Sequence, residues 1–302
     1  MQKSPLLAWI LLLVLAFIWG SSFILIKKGL IGLEPGEVGS LRIVAASLFL
    51  LPSALKRVKL VDKSKLIYFT SVGLLGSLVP AFLFAVAQTQ LESAITGVLN
   101  GLVPIFTILI ALLFFKQKQT NKVYLGVVIG FIGTAILITA GNGNSLSGIN
   151  AYALLVVLAT ICYASNLNLI KQKLNDIHAV TVTSVSLLLV GPVAAIYLFG
   201  YTGFWQKLTT VEGAGLATFY ISLLGIFGTA IALIIFNRIL QMKDALFASS
   251  VTYIIPVFAV MWGVLDGEKL YLWHYIGMVA VGIGVYIANT NRAAHKNAGS
   301  TK

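Results

Sequence analysis

The 302 residues carry 59% hydrophobic and only 10% charged side chains, a balance that excludes a water-soluble globular fold, in which about a quarter of residues are charged. The formal net charge of +12 fits either a nucleic-acid face or basic loops beside an anionic bilayer. The basic residues sit in short loops between apolar runs, which excludes the first.

Crossing a bilayer as a helix takes about 20 apolar residues, because the hydrocarbon is roughly 30 Å thick and each residue rises about 1.5 Å. In chain order such runs occupy residues 6–26, 37–55, 66–88, 93–115, 121–140, 150–170, 178–199, 214–237, 244–265 and 271–290. The expected class is an all-α integral membrane protein with ten transmembrane helices. The first run is too long for the apolar core of a cleaved signal peptide and reads as a retained span. Connections are short, so consecutive helices are antiparallel neighbours. Cys162, the single cysteine, lies in an apolar run and has no disulfide partner in the chain.

Polar residues inside the runs are the candidates for function. Arg42 follows Pro35 by seven residues, about 10 Å below the boundary. A guanidinium there either holds a substrate carboxylate bidentately or snorkels to the interface and pairs with Glu37 or Glu92. Gln88 closes the third run. Asn100 precedes Pro104 by four residues, as Thr252 precedes Pro256. Proline lacks the N–H that would engage that carbonyl, so both prolines are expected to interrupt their helices. Asn100 and Tyr253 then line a cavity, or the kinks serve packing alone. Tyr163 and Asn166 share a helix face, turned to a cavity or to a neighbouring helix. Gly126 to Gly130 and Ala280 to Gly284 space small residues four apart, a pattern for close helix packing. Contact within the chain is expected ahead of a homodimer.

No Asp or Glu falls in the middle of a run, and the three histidines are terminal or interfacial. That argues against a buried proton relay and favours facilitated diffusion or exchange. Ligand sets for a metal, a partnered nucleophile and phosphate-binding glycine loops are also missing, so neither an enzyme, an ATP-driven pump nor a cofactor is expected. With both termini cytoplasmic, 16 of the 21 basic residues fall on the terminal side, as the positive-inside rule requires.

The chain also repeats itself. Leu74-Leu75-Gly76 recurs as Leu223-Leu224-Gly225, Val103-Pro104-Ile105-Phe106 as Ile255-Pro256-Val257-Phe258, and Gly126 with Gly133 as Gly277 with Gly284, at offsets of 149, 152 and 151 residues. The halves are 1–141 and 150–290, followed by a cytoplasmic tail, 291–302. Five spans per half is an odd number, so the second copy is inverted. Inverted bundles can rock about their interface, which favours a transporter over a channel or scaffold.

In this arrangement the chain resembles the drug/metabolite transporter superfamily, EamA-type branch. The resemblance rests on Trp19-Gly20-Ser21-Ser22-Phe23 in the first run, on Pro35 followed by Arg42 and Ala45-Ala46, and on Pro104 and Pro256. It also rests on Asp266-Gly267-Glu268-Lys269 and on the closing glycines Gly277 and Gly284. The first repeat departs from the pattern, with Lys116-Gln117-Lys118 where the Gly-Glu-Arg/Lys turn would stand. The resemblance implies a ten-helix carrier of small metabolites, commonly an exporter of amino acids or related compounds, in the inner membrane. Largely on its strength Trp19, with its one indole donor, and Ser22 join the candidates for the substrate path. A lipid flippase and a non-transporting scaffold or sensor are the competing readings.

Overall fold

A computed structural model describes residues 5–115, 120–140, 150–174, 176–242 and 251–299. The described residues are almost wholly helical, in ten spans. These are α1 (Pro5–Gly29), α2 (Pro35–Arg57), α3 (Leu66–Gly73, a π-helical turn at Leu74–Leu78, then Val79–Ala87) and α4 (Ser93–Asn100 and Val103–Phe115). Next come α5 (Asn121–Thr139), α6 (Ala151–Lys173) and α7 (Ala179–Ile196, ending in a π turn at Tyr197–Tyr201). The last three are α8 (Ala214–Leu223, a π segment at Leu224–Ile231, then Ala232–Met242), α9 (Val251–Leu265) and α10 (Leu272–Gly299). Eight helices are long and apolar enough to cross a membrane, and two shorter apolar ones lie at Ile254–Leu265 and Leu272–Ala288. A short helix, Phe204–Thr210, joins α7 to α8.

Local chemistry sets several of these boundaries. At the start of α2, Pro35 occupies the first turn, and Glu34 with Glu37 forms a reciprocal capping box in which the Glu34 N–H donates to Glu37 Oε2 at 2.8 Å. In α3, Pro80 has no N–H for the Gly76 carbonyl. The chain takes up the defect as a π turn, with the Val79 N–H reaching back to Leu74 O. In α4 helical bonding lapses at Gly101 and Leu102, whose N–H groups turn back to Val98 and Leu99. Pro256, in contrast, lies inside the continuous helix Val251–Leu265. The expected pair of interruptions is thus one, because the stretch before Pro104 contains a glycine and the stretch before Pro256 runs Tyr253-Ile254-Ile255.

The outer surface of the bundle is apolar: Leu13, Phe17, Leu48, Phe131, Ile132 and Val279 are all exposed. Only hydrocarbon solvates such a surface well. Inside, the helix contacts come in matched sets. α1 packs on α9 as α6 packs on α4, α1 on α8 as α6 on α3, and α2 on α8 as α7 on α3. Two further pairs, α2 with α7 and α5 with α10, map onto themselves when the halves are exchanged. In the α2–α7 pair the Ser47 hydroxyl donates to Leu187 O at 2.9 Å. In the α5–α10 pair the backbones touch: a Cβ on Gly133 would lie 2.6 Å from the Val281 nitrogen, and Gly126 and Gly130 meet Gly284 just as closely. The two small-residue motifs therefore face each other within one chain.

Candidate functional site

The lower-dielectric interior of the bundle is where an unpartnered polar group costs most, so each candidate side chain is followed to its partners. Glu37, fully buried, accepts from Lys207 Nζ at 3.2 Å, and Glu34 takes the same ammonium at 2.6 Å. Glu92 is taken by Lys27 at 3.5 Å. Neither carboxylate pairs with Arg42, which corrects the expected snorkelling pair: both acids sit at the ends of the spans, where Lys27 and Lys207 reach them first. Arg42 points into the bundle instead. Its Nε donates to Thr229 Oγ1 of α8 at 3.4 Å, and its guanidinium faces the Tyr163 hydroxyl of α6. No Asp or Glu lies within ion-pair distance of it among the described residues.

Arg42 is therefore the centre of a polar seam between the halves. The Tyr163 ring stacks on Phe84 of α3 at 6.0 Å, and Phe84 meets Phe23 of α1 edge-on at 5.8 Å. One helical turn below Tyr163, the Asn166 amide packs on Gly76 in the π turn of α3, and its Oδ1 is buried without a hydrogen-bond partner. The matching turn of α8 meets α1. Trp19 Nε1 donates to Gly228 O at 3.0 Å, while a Cβ on Gly228 would lie 3.1 Å from Ser22 Oγ. The Ser22 hydroxyl also donates to Ile18 O at 3.1 Å. The indole donor of Trp19 is thus engaged by the backbone of α8.

Gln88 and Asn100 close α3 and the first part of α4. Both amide atoms of Gln88, and Oδ1 of Asn100, are buried without partners, and no hydrogen bond links either residue to the seam among the described residues. The side chain of Tyr253 lies outside what the structure describes. Sequence reasoning missed Thr229 and the pairing of Trp262 Nε1 with Ser21 Oγ at 2.8 Å, which ties α9 to α1. It also set the repeat in a different register here. The aligned Leu-Leu-Gly triplets put Gly76 opposite Gly225, whereas the contacts put Gly76 on α6 and Gly228 on α1. The signal was Gly73-Leu74-Leu75-Gly76 against Gly225-Ile226-Phe227-Gly228, because it is the glycines that let the neighbouring helices approach.

Known proteins share this architecture. The profile of the EamA-like transporter family matches twice, over residues 6–139 and 150–290. An uncharacterized transporter of Archaeoglobus fulgidus is 27% identical over 288 residues, covering 94% of this chain and 99% of that protein. The uncharacterized inner membrane transporter YedA of Escherichia coli K12 is 29% identical over 286 residues, covering 91% and 87%. A crystal structure at 16% identity superposes with a TM-score of 0.62 over 97% of this chain and 99% of that one, a likeness that bears on the fold alone. With both halves matched, the chain belongs to the EamA-like transporter family.

Proposed function

We propose that this transporter carries a small carboxylate-bearing metabolite, such as an amino acid or a related compound, outward across the inner membrane by alternating access. The observation that carries this reading is Arg42, a guanidinium inside the bundle with a hydroxyl on either side and no carboxylate within reach among the described residues. Arg42 is half-buried; a cation drawn into a membrane bundle is costly unless it is paired, and a bidentate carboxylate supplies the missing partner. Thr229 takes Nε, which leaves the two terminal nitrogens as the fork. Asn166 and Gln88 offer amide groups to the rest of a polar solute.

The two halves act as inverted repeats in this proposal, and the exchangeable helix contacts support that. Rocking one half on the other about the α2–α7 and α5–α10 crossings would open the seam first to one side and then to the other. The basic-residue asymmetry supports cytoplasmic termini, an orientation in which the α1–α2, α3–α4 and α9–α10 connections would lie outside. With no carboxylate paired to Arg42 among the described residues, the proposed cycle is uniport or exchange.

Counterflow in proteoliposomes, with a panel of labelled amino acids, small carboxylates and cationic amines, tests the proposal. Saturable, trans-stimulated flux restricted to carboxylate-bearing solutes, and lost in Arg42→Ala, is expected. An unchanged KM in that variant would overturn it, as would movement of lipid headgroups without soluble flux.

A further inference from the structure

The remaining charges at the outer rim are not shared out evenly. Lys27, at the end of α1, lies 2.9 Å from Glu268, 3.0 Å from Asp266 and 3.5 Å from Glu92. Lys28 beside it pairs with Asp266. Three carboxyl groups thus share two ammonium groups, and the cluster carries one surplus negative charge when all are ionised. A single proton balances it.

The three acids are not equivalent. Glu268 is fully shielded and rigidly held: Oε1 accepts from the Ser93 hydroxyl at 2.6 Å and the Ser93 N–H at 2.9 Å, and Oε2 from the Ala94 N–H at 3.0 Å. These are the first free N–H groups of α4, so a carboxylate from the α9–α10 turn caps a helix of the other half. Gly267, at φ 81°, makes the turn that brings Glu268 back onto α4. Asp266 is held by both lysines. Glu92 accepts only the longest of the Lys27 contacts, and its side chain is 41% exposed, open to protons from outside. The groups facing it are Lys27 and Glu268, with Lys28 and Asp266 behind them.

We propose that Glu92 is a proton-binding site within an ionic latch between the two halves, and that the proton it takes holds the outer face of the transporter shut. The latch joins α1 and the head of α4, in the first half, to the α9–α10 turn in the second, so the outer face cannot part without breaking it. The proposal rests on the alternating-access reading for its consequence, though not for its chemistry.

The titration favours the same assignment. Burial and the adjacent Glu268 carboxylate push Glu92 above the usual range, against the pull of Lys27. Burial also opposes ionisation of Glu268, but its donors from Ser93, Ala94 and Lys27 hold it below that range. Opening would return Glu92 to water and to its ordinary value. A proton therefore binds the closed latch more tightly than the open one. Acid stabilises the closed face below the raised value, and that gain is lost as pH rises through it.

The test is a distance across the outer face, read without substrate by spin-label pairs at Ile31→Cys and Leu272→Cys in a Cys162→Ser background in nanodiscs. Acidification from neutral pH should enlarge the closed population relative to the open one, by the ratio of the two proton affinities of Glu92 at most. Glu92→Gln should hold the low-pH distribution at every pH. A pH-independent distribution in the parent, or an unaltered pH profile in Glu92→Gln, would overturn the latch. A pH-dependent distance without carboxylate flux would uphold the latch and sink the carrier reading; flux without pH-dependent distances would do the reverse.

Discussion

At one rim of the bundle Lys27, Lys28 and Lys207 each find carboxylates, while inside it, among the described residues, Arg42 finds only hydroxyls and the amides of Gln88, Asn100 and Asn166 keep buried atoms without partners. Water reaches the rim through the part-exposed Glu34, Glu92 and lysine side chains, so pairing at those groups is cheap to make and to break, as a gate requires. Inside the bundle an unsatisfied buried polar atom costs about 1–3 kcal/mol. A sequence that keeps several of them in one bundle gives up stability for something other than folding. The rim should therefore answer mutation in stability and gating, and the interior in solute recognition.

The largest effect is expected at Arg42. Arg42→Ala should weaken a carboxylate solute by about 2–3 kcal/mol, roughly a 30- to 150-fold rise in KM or Kd. The melting temperature should hold or rise, because the cation removed lacks a counter-ion. Binding by scintillation proximity and melting by tryptophan fluorescence read the two together. Loss of stability in step with loss of binding would mark Arg42 as structural and break the contrast with the rim.

Glu268→Ala should do the opposite. It removes the cap on α4 and the closest carboxylate of Lys27, at a cost of about 1–2 kcal/mol. It should also widen the distance distribution across the outer face while leaving solute affinity in the open state within about twofold, an effect small on the scale of a charged hydrogen bond. A solute affinity reduced as far as in Arg42→Ala would mean that the rim, too, belongs to the binding site.

Much of this contrast was legible in the sequence, and the part that was not has a common cause. Hydrocarbon forces every span to satisfy its own backbone, so ten apolar runs were readable one at a time. The repeat followed from pattern, but its register at the glycines of α3 and α8 did not. The place of Arg42 two turns into α2 followed from its distance to Pro35, but its partners did not: Glu92 went to Lys27, 65 residues away, and Arg42 to Thr229, 187 residues away. No local signal encodes such choices, which are made when helices from opposite halves meet. The same holds for the Trp19 indole, whose acceptor is the Gly228 carbonyl, 209 residues distant. A backbone carbonyl leaves no mark in a sequence.

Gln88→Leu sharpens the comparison in a different direction. Both amide atoms of Gln88 are buried without partners, so an apolar side chain of similar length should raise stability by up to about 1 kcal/mol. Transport should fall several-fold in kcat/KM if the amide meets the solute. Higher stability with unchanged transport would remove Gln88 from the path and leave Asn100 and Asn166 as the interior amides of interest.

The smallest expected effect is at Trp19, and it separates two residue classes that the sequence placed together. Trp19→Phe deletes one hydrogen bond to the Gly228 carbonyl and keeps the aromatic packing on Phe236, whose ring centroid lies 5.7 Å away. About 0.5–1.5 kcal/mol of stability should go with that bond. Solute KM should stay put, because the indole donor already belongs to α8. Were KM to rise with stability intact, the Trp19–Gly228 bond would be one that opens during transport, and the seam would extend across α1 to the π segment of α8.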